Sequence, residues 1–390
     1  MYSLLLAVIY ISFISLGLPD SLLGAAWPTI YPEFGVPVSF AGVIFIVICG
    51  GTVISSLLSD RLTKWVGPGR VTVISVMITA IALAGYSFST SYWMLLVWAV
   101  PYGLGAGSVD AALNNYVALH YKSSHMSWLH CMWGVGASVG PYIMSFALSV
   151  GQHWSSGYRY IAILQIILVV IIFASLPLWK CVNERQDVKR DDERKNALTL
   201  KEIFSIPGAK QVMLMFFCYC ALEQSAGLWA SSYMVLKYGL SEEIAASYGS
   251  MFFIGITIGR AISGFVAMKL DDHKMIKLGC YIILIGVVFM FIPFGYQISL
   301  IGIIIVGFGC APIYPCIIHS TPKNFGSDKS QALIGVQMAS AYLGNIIMPP
   351  LFGVIANNIS VNLLPMYLLL ILIVMSEMHR EVLKRTVNNK

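Results

Sequence analysis

The sequence predicts an all-α membrane protein of twelve transmembrane helices, arranged as two repeats of six. Three observations lead there: an excess of apolar residues, basic residues confined to alternate loops, and glycines that recur at a fixed offset. The 390 residues are 58% hydrophobic and 11% charged, with a mean hydropathy of +0.78, whereas soluble domains carry about 45–50% apolar and about 25% charged residues. That composition excludes a water-soluble globule. Seven of the eight cysteines lie inside apolar runs and Cys181 in a charged stretch, so no disulfide framework or zinc site is expected.

A bilayer-spanning helix needs about 20 mostly apolar residues. Charged or Pro/Gly-rich punctuation divides the chain into such runs. The first, 3–27, has no basic leader and carries Asp20, so a cleaved signal peptide is not expected. The second, 38–59, stops at Asp60 and Arg61, and the third, 70–90, starts at Arg70. The fourth, 92–120, and fifth, 127–150, hold polar groups in apolar surroundings, and the sixth, 158–179, ends at Lys180. After a polar stretch come 211–236 and 243–268, the latter with Arg260, then 275–295. The tenth run, 298–320, is interrupted by Pro312 and Pro315, a broken geometry whose freed backbone groups must line a cavity or be buried in protein. Runs 328–356 and 362–378 complete the set before a basic tail.

Cytoplasmic loops concentrate Lys and Arg. With the N-terminus inside, 21 of the 24 basic residues fall in inner loops or the tail, Arg159 and Lys237 fall outside, and Arg260 lies within a span. Both termini are therefore expected in the cytoplasm of a multi-pass protein of the cell (inner) membrane. The net charge of +6 then reports orientation in the lipid bilayer and implies no nucleic-acid partner. The expected organisation is a six-helix bundle over 1–180, a cytoplasmic linker over 181–210 and a second six-helix bundle over 211–390, acting as a monomer. The end of the linker, Leu198 to Phe204, reads as a short amphipathic segment suited to the membrane surface.

An offset of 204 superposes Gly35 on Gly239, Gly51 on Gly255, Gly103 and Gly105 on Gly307 and Gly309, and Gly140 on Gly344. An offset of 203 brings Asp20 onto Glu223 and Gly24 onto Gly227. Small residues recur where membrane helices approach closely, so the matched glycines predict two parallel repeats, the architecture of a major facilitator transporter.

Charges deep in a span cost several kcal/mol and mark functional positions, on the order of 2.5–3.5 kcal/mol on insertion scales. Four stand out: Asp20, Asp110, Glu223 and Arg260. Spans 1, 4, 7 and 10 are equivalent in such a repeat and line the midplane cavity, and three of the four charges lie on them. In span 4, Gly103, Gly107, Asp110 and Asn114 form one polar and small stripe. Span 1 has Gly17, Asp20, Gly24 and Trp27, span 7 has Tyr219, Glu223 and Gly227 beside Gln224 and Trp229, and span 10 adds Tyr314. His130 and Trp133 of span 5 join them as candidate substrate contacts. Rings beside carboxylates and amides suit a sugar, whose C–H faces stack while its hydroxyls need several donors and acceptors. Asp60, Arg61, Arg70 and Arg260 are the candidate gating or structural charges. No cofactor or metal is expected. A carboxylate in a low-dielectric cavity exchanges protons or holds Na+, so the coupling ion is H+ or Na+. The predicted activity is ion-coupled symport of a small polar solute by alternating access, with Asp110 or Glu223 as coupling carboxylate. A drug or metabolite exporter on the same fold is the alternative. No His-Glu-x-x-His and no P-loop occur, and an enzyme is not expected.

These motifs resemble a known family. Ser56 to Arg61 followed by Gly69-Arg70 is similar to the loop 2–3 signature of the major facilitator superfamily, with Ser56 in place of its first glycine. Gly103 to Asn115 resembles span 4 of the fucose permease and bacterial glucose/mannose permease branch, where an acidic residue is followed four later by Asn. Leu129 to Pro141 resembles that branch's span 5, Glu223 to Tyr233 and Gly259 to Phe265 its spans 7 and 8, and Ala311 to Pro315 its span 10 motif. The resemblance implies sugar uptake. It also implies that Asp110, and an acidic residue of span 1 such as Asp20, belong to substrate binding and proton coupling.

Overall fold

A computed structural model describes residues 2–20, 22–37, 40–179, 198–240 and 242–387. Most of the expected linker lies outside the described residues. The described chain is helical, without strands: α1 (Tyr2–Asp20), α2 (Leu22–Glu33), α3 (Phe40–Val66), α4 (Pro68–Ser87), α5 (Tyr92–His120), α6 (Ser123–Ser149), α7 (Trp154–Ala174), α8 (Leu200–Ser205), α9 (Ala209–Tyr238), α10 (Glu242–Val266), α11 (Asp272–Phe291), α12 (Gly295–Cys310), α13 (Ile313–Phe325), α14 (Ser327–Asn358) and α15 (Leu364–Val387). Among the described residues, eleven helical stretches are long and apolar enough to cross a membrane, and the shorter apolar run Met251–Val266 in α10 supplies the twelfth. These are the twelve spans read from hydropathy.

The differences lie at the ends, and backbone conformation explains them. The second span continues from 59 to Val66, because Asp60, Arg61 and Lys64 end the apolar run but not the helical hydrogen bonding. The stop is Gly67, at φ 82°, a left-handed conformation that glycine adopts without a Cβ penalty. Likewise α13 runs past 320 to Gly326, at φ 96°. The last span extends through its basic tail, where Arg380 pairs with Glu377 and Lys384 with Glu381 one turn apart. Before α9, the short α8 is set by a capping box between Thr199 and Glu202, with Ile203 buried and Leu200 and Phe204 exposed.

The chain forms two compact units: Met1–Tyr116 with Leu129–Leu198, and Val117–Trp128 with Thr199–Lys390. Their interiors are organised in the same register. In the first unit, a Cβ on Gly103 would overlap the carbonyl oxygen of Ile48, and one on Gly105 would lie 2.8 Å from Ser75 O and 3.3 Å from Thr79 N. In the second, a Cβ on Gly307 would overlap Phe252 O, and one on Gly309 would lie 2.9 Å from Gly279 O and 2.7 Å from Ile283 N. Every one of these partners is displaced by 204 positions. The offset seen in the glycines is therefore an offset of backbone crossings: α5 on α3 and α4 in one unit, and α12 on α10 and α11 in the other. Helices without a hydrophobic drive between them associate through van der Waals packing, and small residues let their backbones approach closely.

Candidate functional site

In the first unit the polar groups of α1, α5 and α6 meet. The crossing that permits this is again close, since Cβ atoms on Gly17 and Gly136 would overlap the carbonyls of Trp133 and Ile14. Asp20 is the last residue of α1 and its side chain is exposed. Its Oδ1 accepts from Tyr102 Oη and its Oδ2 from Trp133 Nε1, both at 2.8 Å. Two charge-assisted bonds from different helices hold the carboxylate in one orientation. Asp110 lies two turns beyond Tyr102 on α5; its Oδ1 accepts from Asn114 Nδ2 at 2.8 Å, and Asn114 Oδ1 lies 3.1 Å from His130 Nε2. Because the amide nitrogen serves Asp110, the amide oxygen must accept, so His130 carries its proton on Nε2. Asp110, Asn114 and His130 are buried, at 5%, 0% and 5% exposure. At this meeting Asp20 of α1 is the accessible carboxylate, held by α5 and α6, and Asp110 of α5 is a sequestered one. A small cavity lined by Ser12, Ser15, Pro19, Thr79 and Tyr102 adjoins them.

Trp27 is elsewhere. It is buried against Tyr31 and Tyr92, with ring centroids 6.5 and 6.4 Å away, in the aromatic core of the unit.

In the second unit Arg260 of α10 and Glu223 of α9 form an ion pair, Nη2 to Oε1 at 3.2 Å, with side chains 6% and 20% exposed. One turn before Glu223, Tyr219 Oη donates to Cys310 O at 3.0 Å. Cys310 ends α12 at the break before Pro312, so this hydroxyl satisfies a carbonyl that the interruption releases. Tyr314 follows the break. Its ring meets Phe216 at 4.7 Å, and its hydroxyl points to Met338 Sδ at 3.1 Å. Gln224 is half-buried. Trp229 donates to Pro349 O at 2.9 Å and stacks edge-on against Phe352, an arrangement that fastens α9 to the proline-interrupted α14.

Of the charges read as gating or structural, Arg61 and Arg70 are exposed. Asp60 is buried at 4% and accepts from Lys64 Nζ at 3.1 Å and from the Leu198 amide at 3.3 Å. It ties the end of α3 to the residues preceding α8. Arg260, read as a separate charge, proves to be the partner of Glu223. Tyr102 escaped the sequence reading. It stands eight residues before Asp110, two turns along one face, and that spacing was the available signal. Gln165 also went unread, and it clamps α7 to α1 by donating to Ser15 O at 2.6 Å.

A Gly-x-Ser-x-Gly string, Gly136 to Gly140, occurs inside α6. There Ser138 donates to Gly134 O at 2.8 Å within its own helix, not at the strand-to-helix elbow that nucleophilic chemistry needs.

Twelve apolar spans in two units of one register, each with charged groups held inside, define a membrane transporter built from a repeat. The Major Facilitator Superfamily profile matches residues 9–349. The chain belongs to that superfamily, and it is not an enzyme. It is 24% identical to the Saccharomyces cerevisiae protein "Bypass of stop codon protein 6" over 91% of this chain and 78% of that one. It is 23% identical to the glucose/mannose transporter GlcP of Bacillus subtilis, over 78% of this chain and 77% of the relative. In structure it is similar to the E. coli fucose:proton symporter FucP, with a TM-score of 0.77 at 18% identity, covering 97% of this chain and 98% of the other.

Proposed function

We propose that the protein is a secondary active transporter that carries a small uncharged polar solute, a sugar or related polyol, by alternating access coupled to H+. The likeness to a glucose/mannose transporter and to a fucose:proton symporter supports the solute class and the ion; Na+ is the other ion a cavity carboxylate would hold. The observation that carries the reading is the charge pattern. Asp20 is accessible and framed by an indole and a phenol, the combination that suits a ring of hydroxyls. Arg260, the cation set deep in the second unit, is already matched by Glu223. A site selective for an anionic solute would instead offer a guanidinium to the cavity. Asp110, Asn114, His130, Trp133, Gln224 and Tyr314 are the further proposed contacts.

The positive-inside pattern supports placement in the cell (inner) membrane with both termini cytoplasmic. A monomer suffices for this mechanism. The test is uptake by proteoliposomes of a panel of neutral sugars, polyols and organic anions under imposed proton or sodium gradients. A neutral sugar should accumulate on an inward proton gradient. Proton-driven extrusion of a drug or metabolite, with no sugar moved, would establish the exporter instead.

A further inference from the structure

The turn between α5 and α6 packs inside the second unit through three contacts. His319 of α13 places Nε2 3.0 Å from the carbonyl oxygen of Tyr121. Ser123 Oγ donates to Asp272 Oδ1 of α11. Trp128 sits where a Cβ on Gly264 would overlap its indole, with Phe265 edge-on at 5.6 Å. The other ring nitrogen of His319, Nδ1, lies 2.7 Å from Asp272 Oδ2. Both ring nitrogens therefore face acceptors, a carboxylate and a backbone carbonyl. Neutral imidazole has one N–H, so only the imidazolium satisfies both. The Tyr121 carbonyl follows the end of α5, among the last carbonyls that lack an intrahelical partner and favour a cation.

We propose that His319 is a proton-operated latch. As imidazolium it ties the α5–α6 turn to α11 and α13, and release of its Nε2 proton to water turns a lone pair toward the Tyr121 carbonyl and frees the turn. The Nδ1 proton stays with Asp272, the stronger acceptor. The surrounding charges are Asp271 just before α11, Asp272 at its start and Lys323 one turn along α13, with Cys316 beside Ser123. His273 is turned away, toward His379 and Asn324 at 3.3 Å each. His125 lies in the turn itself, against Trp128. Lys122 and Lys323 put this end on the face that the orientation proposed above assigns to the cytoplasm. The latch would then read the pH of that compartment, whichever solute is carried.

The test is hydrogen–deuterium exchange of the full chain in lipid nanodiscs at pH 5.5, 7.0 and 8.5. Protection over 117–128 is corrected for intrinsic exchange at each pH. Protection should fall about tenfold across the series, the size of one lost charge-assisted bond. In His319→Gln it should be low and flat, and in His319→Arg it should stay high at pH 8.5. Unchanged protection in the wild-type chain would overturn the proposal, as would the same pH step surviving in His319→Gln, which would move the effect to His125. Should His319→Gln fail to fold, Asp272→Asn takes its place with the same expectation. The readout involves no transport, so it is independent of the solute assignment.

Discussion

Trp133 Nε1 donates to Asp20 Oδ2 at 2.8 Å across 113 positions of sequence, joining the end of α1 to the middle of α6. An indole N–H can only donate, so this contact fixes one carboxylate oxygen as an acceptor and leaves the aromatic face beside it. Trp133→Phe keeps a ring and removes the donor. A hydrogen bond to a charged group contributes about 1.5–3 kcal/mol, so solute affinity should weaken by at least roughly tenfold with folding preserved. Equilibrium binding of the transported solute checks this, and unchanged affinity would remove Asp20 from the site.

The Glu223–Arg260 pair makes a prediction about stability. Removing one partner of a buried pair leaves an uncompensated charge and costs about 3–5 kcal/mol; with Glu223 at 20% exposure the lower end applies. Glu223→Gln should destabilise the protein by about 3 kcal/mol, and adding Arg260→Met should restore most of it. Denaturation of Glu223→Gln, Arg260→Met and the double variant in detergent gives the coupling directly. Additive losses would show that the pair is not an energetic unit.

Gly103 and Gly307 occupy equivalent crossings, each against a backbone carbonyl. Backbone cannot move aside as a flexible side chain can, so Gly103→Val and Gly307→Val should each cost at least the roughly 1–3 kcal/mol of an overpacked core and sharply lower the yield of folded protein. At Gly24, matched by sequence to Gly227, a Cβ would meet no atom within 4 Å. Gly24→Ala should fold as well as the parent, or better. Yield after size-exclusion chromatography separates the two cases.

Asp271 precedes α11 and accepts from the Lys274 amide at 2.9 Å, with Lys274 Nζ at 3.2 Å. Partial desolvation pushes its carboxyl up, but the amide and the ammonium outweigh that and hold it below the ordinary value. A depressed carboxyl contributes stability above its unfolded pKa, about 3.9, and loses it as pH falls through the folded value. Asp271→Ala should therefore cost about 1 kcal/mol at pH 7 and nothing in strong acid. Thermal unfolding of both proteins across that range checks the sign.

The fold was legible because the bilayer imposes length and composition on each span, and because close crossings leave glycines at a fixed offset. Helix ends were less so: Asp60 to Val66 reads as loop by charge, yet stays helical until Gly67. Among the candidate residues, Asp20, Asp110 and Glu223 were visible as charges in apolar runs. Their partners were not, since nothing in sequence brings Tyr102 to Asp20 or Arg260 to Glu223. Trp27 and Trp229 read as cavity rings because aromatic residues near a carboxylate look alike in sequence, whether they face a cavity or a neighbouring helix. Asp272 opens α11 and His319 closes the apolar run 298–320, positions where charge is cheap, so hydropathy gave them no prominence.

With Glu223 paired to Arg260, we propose that the buried Asp110 is the carboxylate that couples ion movement to solute movement. This claim is tested most directly by comparing proton-driven uptake with solute counterflow in proteoliposomes containing Asp110→Asn. Driven accumulation should be lost while counterflow of the same solute persists. Accumulation that keeps its parental size and pH dependence in Asp110→Asn would contradict the claim.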